Sequence, residues 1–197
     1  MKNYEKIILV DCDGVLLDWE TAFEEYAEAR GYAFNENKRI VYSMGAQLGI
    51  SHEEAYRLIS GFNHSEEFGR IAPYRDSVEY VKRFKDEGWK FIAITTAGEH
   101  PDTWPLRRKN LDEVFGPDAI DELYVLPLNG DKGVELVKYR DSGLFWLEDK
   151  PSNAVLGYQY GLKPLLMSTF HNRTYDGSVK RVNTWEEIYR IINDTVS

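Results

Sequence analysis

Short apolar runs alternate along the chain with longer stretches in which apolar residues recur every three or four positions. The runs fall at residues 7–10 (I-I-L-V), 89–95 (W-K-F-I-A-I-T), 121–126, 144–147 and 164–167. Their length and apolar composition predict strands, the first of them buried on both faces. Between the first two runs the pattern is helical. Residues 19–29 place Trp19, Phe23, Tyr26 and Ala27 on one face, and residues 35–49 are polar and broken by Gly45. Ser51-His52-Glu53-Glu54 reads as a capping box opening a helix through Ala55, Leu58 and Ile59 that stops near Gly61. A short helical piece follows from Ser65-Glu66-Glu67. Beyond Ile71 helix and strand alternate. Asp76 caps a helix with Val78, Val81 and Phe84 inward, closed by Gly88, and Pro101-Asp102 opens one that runs to Phe115-Gly116. Further helices are expected at 133–139, from Pro151 to Gly161, and from the Thr184-Trp185-Glu186-Glu187 cap to Ile192.

Strands alternating with helices predict an α/β fold, a doubly wound parallel sheet covered on both faces. The departure is a small all-helical insert after the first strand. The expected division is a core of residues 1–18 and 71–197, with the insert at 19–70. No internal repeat, low-complexity tract or linker interrupts this plan.

Composition narrows the classes. A chain of 197 residues with 43% hydrophobic and 29% charged residues supports one good core and a modest second lobe. No apolar run reaches membrane-spanning length and the opening M-K-N-Y-E-K lacks a secretory segment, so no membrane partner is expected. Cys12 is the single cysteine, which suits a reducing cytoplasm. The net charge of -9, with no basic cluster beyond Arg107-Arg108-Lys109, disfavours duplex nucleic acid. An acidic protein acting on an anion must concentrate positive charge locally, through a metal and one or two lysines. A homodimer stays open.

The expected strand ends carry the chemistry. The first ends in Asp11 and Asp13, with Gly14 free to turn; the second in Thr95 and Thr96; the fourth in Glu148 and Asp149. Asp131-Lys132 opens the helix after the third. In a parallel sheet these points lie along one edge, so residues distant in sequence can meet there. Two acids one residue apart repel unless a cation or shared proton relieves them, which suggests a divalent metal beside a nucleophilic or acid/base carboxylate. Each group taken singly has a plainer reading: Thr95 as a strand residue, Lys132 as a solvated lysine, Glu148-Asp149 as a helix start favoured by acids. Their order along the chain is what makes the plain reading improbable.

D-C-D-G-V, I-A-I-T-T, Lys132 and L-E-D, in that order, resemble the motifs of the haloacid dehalogenase (HAD) superfamily of phosphotransferases over nearly the whole chain. The resemblance implies a HAD-like Rossmannoid core in which Asp11 is the nucleophile, taking the phosphoryl group as an aspartyl phosphate. Mg²⁺ would be held by Asp11, the carbonyl of Asp13 and Asp149. Asp13 would act as general acid and then general base. Thr95, with Thr96 beside it, would bind a phosphoryl oxygen, and Lys132 would balance charge on phosphate and on Asp11. Amides of the Cys12 to Val15 turn, including Gly14, would cradle phosphate oxygens. The terminal pair is Glu-Asp where Asp-Asp is more usual, so direct ligation by Glu148 is open. Asp13 argues against dehalogenase chemistry.

The insert occupies the position of the superfamily's small cap, which closes over the site and reads the substrate. D-C-D-G-V-L-L-D-W-E, N-G-D-K-G and L-L-M-S-T-F-H-N are similar to stretches of the 5′(3′)-deoxyribonucleotidases. In that family an aromatic at the Trp19 position lies near the base, which makes Trp19 the leading specificity residue, with Tyr42, Phe62 or Phe68 as partners. A plain core role suits Trp19 equally well. Trp104, Arg107 and Arg108 lie near the second strand end but read as helix-surface residues. His52, His64 and His171 are unassigned. The implied activity is a Mg²⁺-dependent phosphomonoesterase acting on a nucleoside monophosphate. The alternatives are a sugar phosphate or other small phosphoester, a phosphomutase, and a non-catalytic phosphate-binding module.

Overall fold

A computed structural model describes residues 6–196; residues 1–5 and 197, the ends of the expected core, lie outside the described residues. Six parallel strands form a single sheet in the order β3-β2-β1-β4-β5-β6. They are β1 (Ile7–Val10), β2 (Lys90–Thr96), β3 (Glu122–Leu126), β4 (Phe145–Glu148), β5 (Lys163–Met167) and β6 (Lys180–Val182). The first five match the apolar runs. β6, at one of the two sheet edges, is not among the expected strands, because in K-R-V only Val182 is buried and so short a stretch leaves no apolar run.

The centre of the sheet shows why β1 is apolar throughout. Ile8 and Val10 point into one face with Phe84, Phe91 and Trp185, while Leu9 points into the other with Ile92, Ile94 and Trp146. Both faces are covered by helices: α4 (Ser77–Asp86), α5 (Thr103–Phe115), α6 (Gly133–Leu136), α7 (Pro151–Gln159) and α8 (Trp185–Val196). Of the expected inward residues of α4, Val81 and Phe84 are buried but Val78 is 39% exposed, and Tyr80 takes its place. A strict spacing of three drifts off a helix face that turns every 3.6 residues. Nor does Asp76 cap its own helix. Its carboxylate accepts from the backbone N–H groups of Trp185 (2.9 Å) and Glu186 (3.0 Å), capping α8 across a sequence gap of more than a hundred residues.

Between β1 and β2 the insert holds α1 (Trp19–Glu28), α2 (Met44–Leu48) and α3 (His52–Asn63), with 3₁₀ turns at Glu36–Lys38 and Glu67–Arg70. The long helix expected at 35–49 is only one 3₁₀ turn and α2, with Ile40, Val41 and Tyr42 between them outside any helix. Helix α3 begins at the expected cap, with Ser51 Oγ accepting from the Glu54 N–H at 3.1 Å, and continues past Gly61. The box is half made: the Glu54 carboxylate accepts from the Tyr32 hydroxyl instead of returning to Ser51. Phe62 packs against Phe23, Tyr26 and Phe68 with ring centroids 5.1–5.9 Å apart, continuous with the main core through Val15 and Leu16. Among the described residues no helix is long and apolar enough to cross a membrane.

Candidate active site

Strand register brings the acids together. Val10 pairs with Ala93 of β2 and Leu147 of β4, and the Asp11 N–H continues the ladder to the Leu147 carbonyl at 2.9 Å. Asp11, Asp13, Thr95, Thr96, Glu148 and Asp149 therefore leave neighbouring strands at the same edge. Lys132, at the start of α6 after β3, reaches in to join them: its Nζ is 2.5 Å from Asp11 Oδ2 and 2.7 Å from Glu148 Oε1. The expected meeting of distant motifs is thus present in the fold.

The groups are not equivalent. Glu148 is fully buried and already accepts three hydrogen bonds, at Oε1 from Lys132 and Asn153 (2.8 Å) and at Oε2 from the Lys150 N–H (2.6 Å). Its carboxylate is a buttress for Lys132. Lys132 is sealed behind Asp11, out of the pocket wall, so its charge reaches a ligand through Asp11. Burial alone would pull the Lys132 ammonium down, but Asp11 and Glu148 hold it above the ordinary lysine range. Burial likewise works against the Glu148 carboxylate, and Lys132 more than offsets it, leaving that group lowered. Asp11 goes the other way: burial, reinforced by Glu148 and Asp13 and opposed by Lys132, pushes it up to about 8. Burial with Glu148 and Asp11 raises Asp149 well above the usual carboxylate range.

Asp11, Glu148 and Asp149 each offer an oxygen within 4.8 Å of the others. Four acids (Asp11, Asp13, Glu148, Asp149) face two buried cations (Lys132, Arg107), an excess of two negative charges that a divalent ion would cancel. Since Glu148 is occupied, Asp11 and Asp149 are the side chains that fit such an ion, and oxygen donors suit magnesium. Gly14 makes room for this: with φ +72, a Cβ there would lie 2.4 Å from Asp149 Oδ2. Three of the four turn amides already have partners inside the protein. The Cys12 N–H donates to Asp11 Oδ1 (2.7 Å), Gly14 to the Leu17 carbonyl (2.9 Å) and Val15 to the Cys12 carbonyl (3.4 Å). Of the amides expected to cradle a phosphate, those of Cys12, Gly14 and Val15 are therefore engaged within the turn.

Beyond the acids lies a pocket of about 290 Å³ between the strand ends and the insert. Trp19, Tyr42, Met44, Tyr56 and Ile59 of the insert wall it, facing Asp11, Asp13, Thr95, Thr96 and Asp149. Trp19 stacks one ring face on Phe23 (4.6 Å between centroids, 9° apart) and donates from Nε1 to Asn63 Oδ1 at 3.0 Å. Asn63 in turn donates to the Ala97 carbonyl at 2.8 Å, joining α3 to the end of β2. Of the expected aromatic partners, Phe62 meets Trp19 edge-on and Phe68 does not reach it; both are buried behind the pocket, and Tyr42 alone of the three lines it. His171 sits 3.2 Å from the Asp149 carbonyl with its ring edge against Tyr42, and burial lowers its pKa. His52 lines the pocket rim, whereas His64 stacks on His100 away from the acids.

One expectation fails clearly. Arg107 is not a surface residue: it is fully buried, with Nη2 2.6 Å from Asp13 Oδ1. The buried stripe of α5 is Thr103, Arg107, Asn110 and Leu111, mostly polar, so hydrophobic periodicity could not reveal it. Trp104 is exposed as expected, whereas Arg108 is half-buried, paired with Asp112 and donating to the Ile120 carbonyl at 2.9 Å.

The family model for "5′ nucleotidase, deoxy (Pyrimidine), cytosolic type C protein" matches residues 5–196. The chain belongs to this family. This agrees with the resemblance carried by the motifs, and the fold is shared with solved HAD-superfamily phosphatases. Solved structures with the same fold include a HAD-superfamily hydrolase from Ehrlichia chaffeensis (13% identity, covering 98% of each chain, TM-score 0.61). CbbY from Rhodobacter sphaeroides in complex with phosphate is similar too (17% identity, 93% of this chain and 96% of that one, TM-score 0.61). Among curated proteins, an uncharacterized 32.4 kDa protein from the Gp30-rIII intergenic region of Enterobacteria phage T4 is 25% identical over 130 residues, 64% of this chain. The match spans 46% of that relative's length.

Proposed function

We propose that this deoxyribonucleotidase-family member hydrolyses nucleoside monophosphates with Mg²⁺, through an aspartyl phosphate on Asp11. The observation that carries the reading is Asp11 itself: a buried carboxylate held by the Cys12 N–H and Lys132 Nζ at the floor of an aromatic-walled pocket. A volume of about 290 Å³ suits a small monoester, near the lower end of the range for small-molecule sites. Magnesium, held by Asp11, Asp149 and the Asp13 carbonyl, would supply charge neutralisation for an anionic nucleophile meeting an anionic phosphate.

In the first step an Asp11 oxygen attacks phosphorus while the ester bond breaks and Asp13 gives its proton to the leaving oxygen. In the second, water attacks phosphorus, Asp13 takes its proton and the Asp11–phosphorus bond breaks. Lys132 fixes Asp11 in both, Thr95 and Thr96 offer hydroxyls to phosphoryl oxygens, and the insert excludes water as a lid. Trp19 and Tyr42 supply flat faces suited to a base.

The deciding assay is phosphate release from a panel of nucleoside 5′- and 3′-monophosphates beside sugar phosphates, in Mg²⁺ and in EDTA. Nucleotides should lead, EDTA should silence the enzyme, and Asp11→Asn should abolish turnover while the protein stays folded. Full activity of Asp11→Asn would remove the covalent mechanism; sugar phosphates outrunning nucleotides would remove the substrate assignment. Trp19→Ala should damage nucleotide turnover more than that of an aryl phosphate, and equal losses would reduce Trp19 to packing.

A further inference from the structure

Arg107 is a buried charge to which the chemistry above gives no task. Its guanidinium lies on the face of Phe68, with Cζ 4.0 Å from the ring centroid, and its Nη2 meets Asp13 Oδ1 at 2.6 Å. Phe68 belongs to the 3₁₀ turn that ends the insert, and Gly69 beside it lets α5 come close: a Cβ there would lie 3.0 Å from Leu106 Cδ2. Among the described residues, Asp13 is the one acidic side chain within ion-pair distance of Arg107, and Nε and Nη1 have no hydrogen-bond partner. A guanidinium keeps its charge at any accessible pH, and an apolar side chain fills such a space at lower cost. Arg107 is also absent from the pocket wall, so it is not placed to touch a substrate. What it touches is Asp13, which does line the pocket and whose second oxygen, Oδ2, faces Thr95 Oγ1 at 3.4 Å.

We infer that Arg107 is a positioning residue for proton transfer: it anchors Asp13 Oδ1 so that Oδ2 is the oxygen presented to the leaving group and then to water. A carboxyl protonated on Oδ2 keeps Oδ1 as an acceptor, so the anchor persists while the proton departs to the leaving oxygen and returns from the attacking water. The inference rests on the assignment of Asp13 as acid and base made above.

The test exploits leaving groups. A nucleoside alkoxide needs a proton to depart, whereas p-nitrophenolate leaves without one. For Arg107→Met, turnover of a nucleoside monophosphate should fall about 10- to 100-fold, the range for a misplaced acid/base group. KM should hold within about threefold. With p-nitrophenyl phosphate, the first-turnover burst should also hold within about threefold while the steady state, limited by water attack, slows. Arg107→Lys keeps the charge without the planar fork; it should show the same split and serves where the methionine variant does not fold, as judged by circular dichroism. Equal losses in the burst and in nucleotide turnover would mean a merely structural arginine and overturn the inference. Asp13→Asn is run in parallel. If it shows the leaving-group split and the Arg107 variants do not, the positioning role alone falls. If Asp13→Asn shows no split, the acid/base assignment falls and the inference with it.

Discussion

Replacing Lys132 by methionine would isolate a buried cation shared between two carboxylates. The side chain is 1% exposed and spans Asp11 Oδ2 at 2.5 Å and Glu148 Oε1 at 2.7 Å, with Trp146 beneath it at 5.3 Å. Methionine fills nearly the same volume, so packing changes little and the loss is that of the charge. Removing one partner of a buried ion pair costs about 3–5 kcal/mol, because the remaining charge is stranded. For a chain of this size about 2–4 °C of melting temperature accompanies each kcal/mol, so a fall of roughly 6–20 °C is expected at pH 7. The pH dependence gives the sharper check. Glu148 is held below its ordinary value in the folded protein, so its stabilisation is present above the unfolded value of 4.5 and fades as pH falls through the folded one. Lys132 is held above 10.5, so its share is present below that value and fades as pH rises through the folded one. The share of the gap between wild type and Lys132→Met that Glu148 carries should therefore be present at pH 7 and narrow in acid, where Glu148 takes a proton in both proteins. Urea titrations at pH 7 and at pH 3–4 measure it. A gap below about 1 kcal/mol at pH 7, or one that does not shrink in acid, would refute the view that Lys132 and Glu148 form a stabilising ionised pair.

Other outcomes follow from the same geometry. Gly14→Ala combines a left-handed φ of +72 with a Cβ 2.4 Å from Asp149 Oδ2, so it should cost about 1–3 kcal/mol in thermal melts. It should also raise the Mg²⁺ concentration for half-maximal activity, and an unchanged Mg²⁺ requirement would remove Asp149 from the metal site. Without metal, Asp11 is raised to about 8 and Asp149 is raised as well. A raised carboxyl contributes stability below its unfolded value near 3.8, and that contribution is lost as pH rises through the folded value. Protein in EDTA should thus lose melting temperature between pH 5 and 8, and Mg²⁺ should restore more at pH 8 than at pH 5. Equal restoration at both would contradict the ion's relieving these two acids.

Residues 7–10 show how much of the fold was legible in the chain. Four consecutive apolar residues suit a strand buried on both faces, and the five apolar runs reappear as β1 to β5 in a parallel sheet, β3 as a partly exposed edge. Local chemistry sufficed for the central strands, where burial on both faces demands an apolar run. The same holds for the chemical motifs: Asp11, Asp13, Thr95 and Asp149 each follow such a run closely, so the parallel register delivers them to one edge. Asp76, Glu54 and Arg107 show the limit. Each was read by its nearest neighbours in sequence, and each found its partner elsewhere: Asp76 at the start of α8, Glu54 at Tyr32, Arg107 at Asp13.

Which amino acids stand at the strand ends was therefore settled by the sequence, since side-chain periodicity marks where a strand stops. Which charge meets which was decided only by tertiary packing. An ion pair depends on a few ångströms between side chains brought from distant segments, and no local pattern encodes that distance. Lys132 behind Asp11, Glu148 accepting from Lys132, Asn153 and Lys150, and Arg107 buried against Asp13 all exist because α5, α6 and α7 dock on the same sheet.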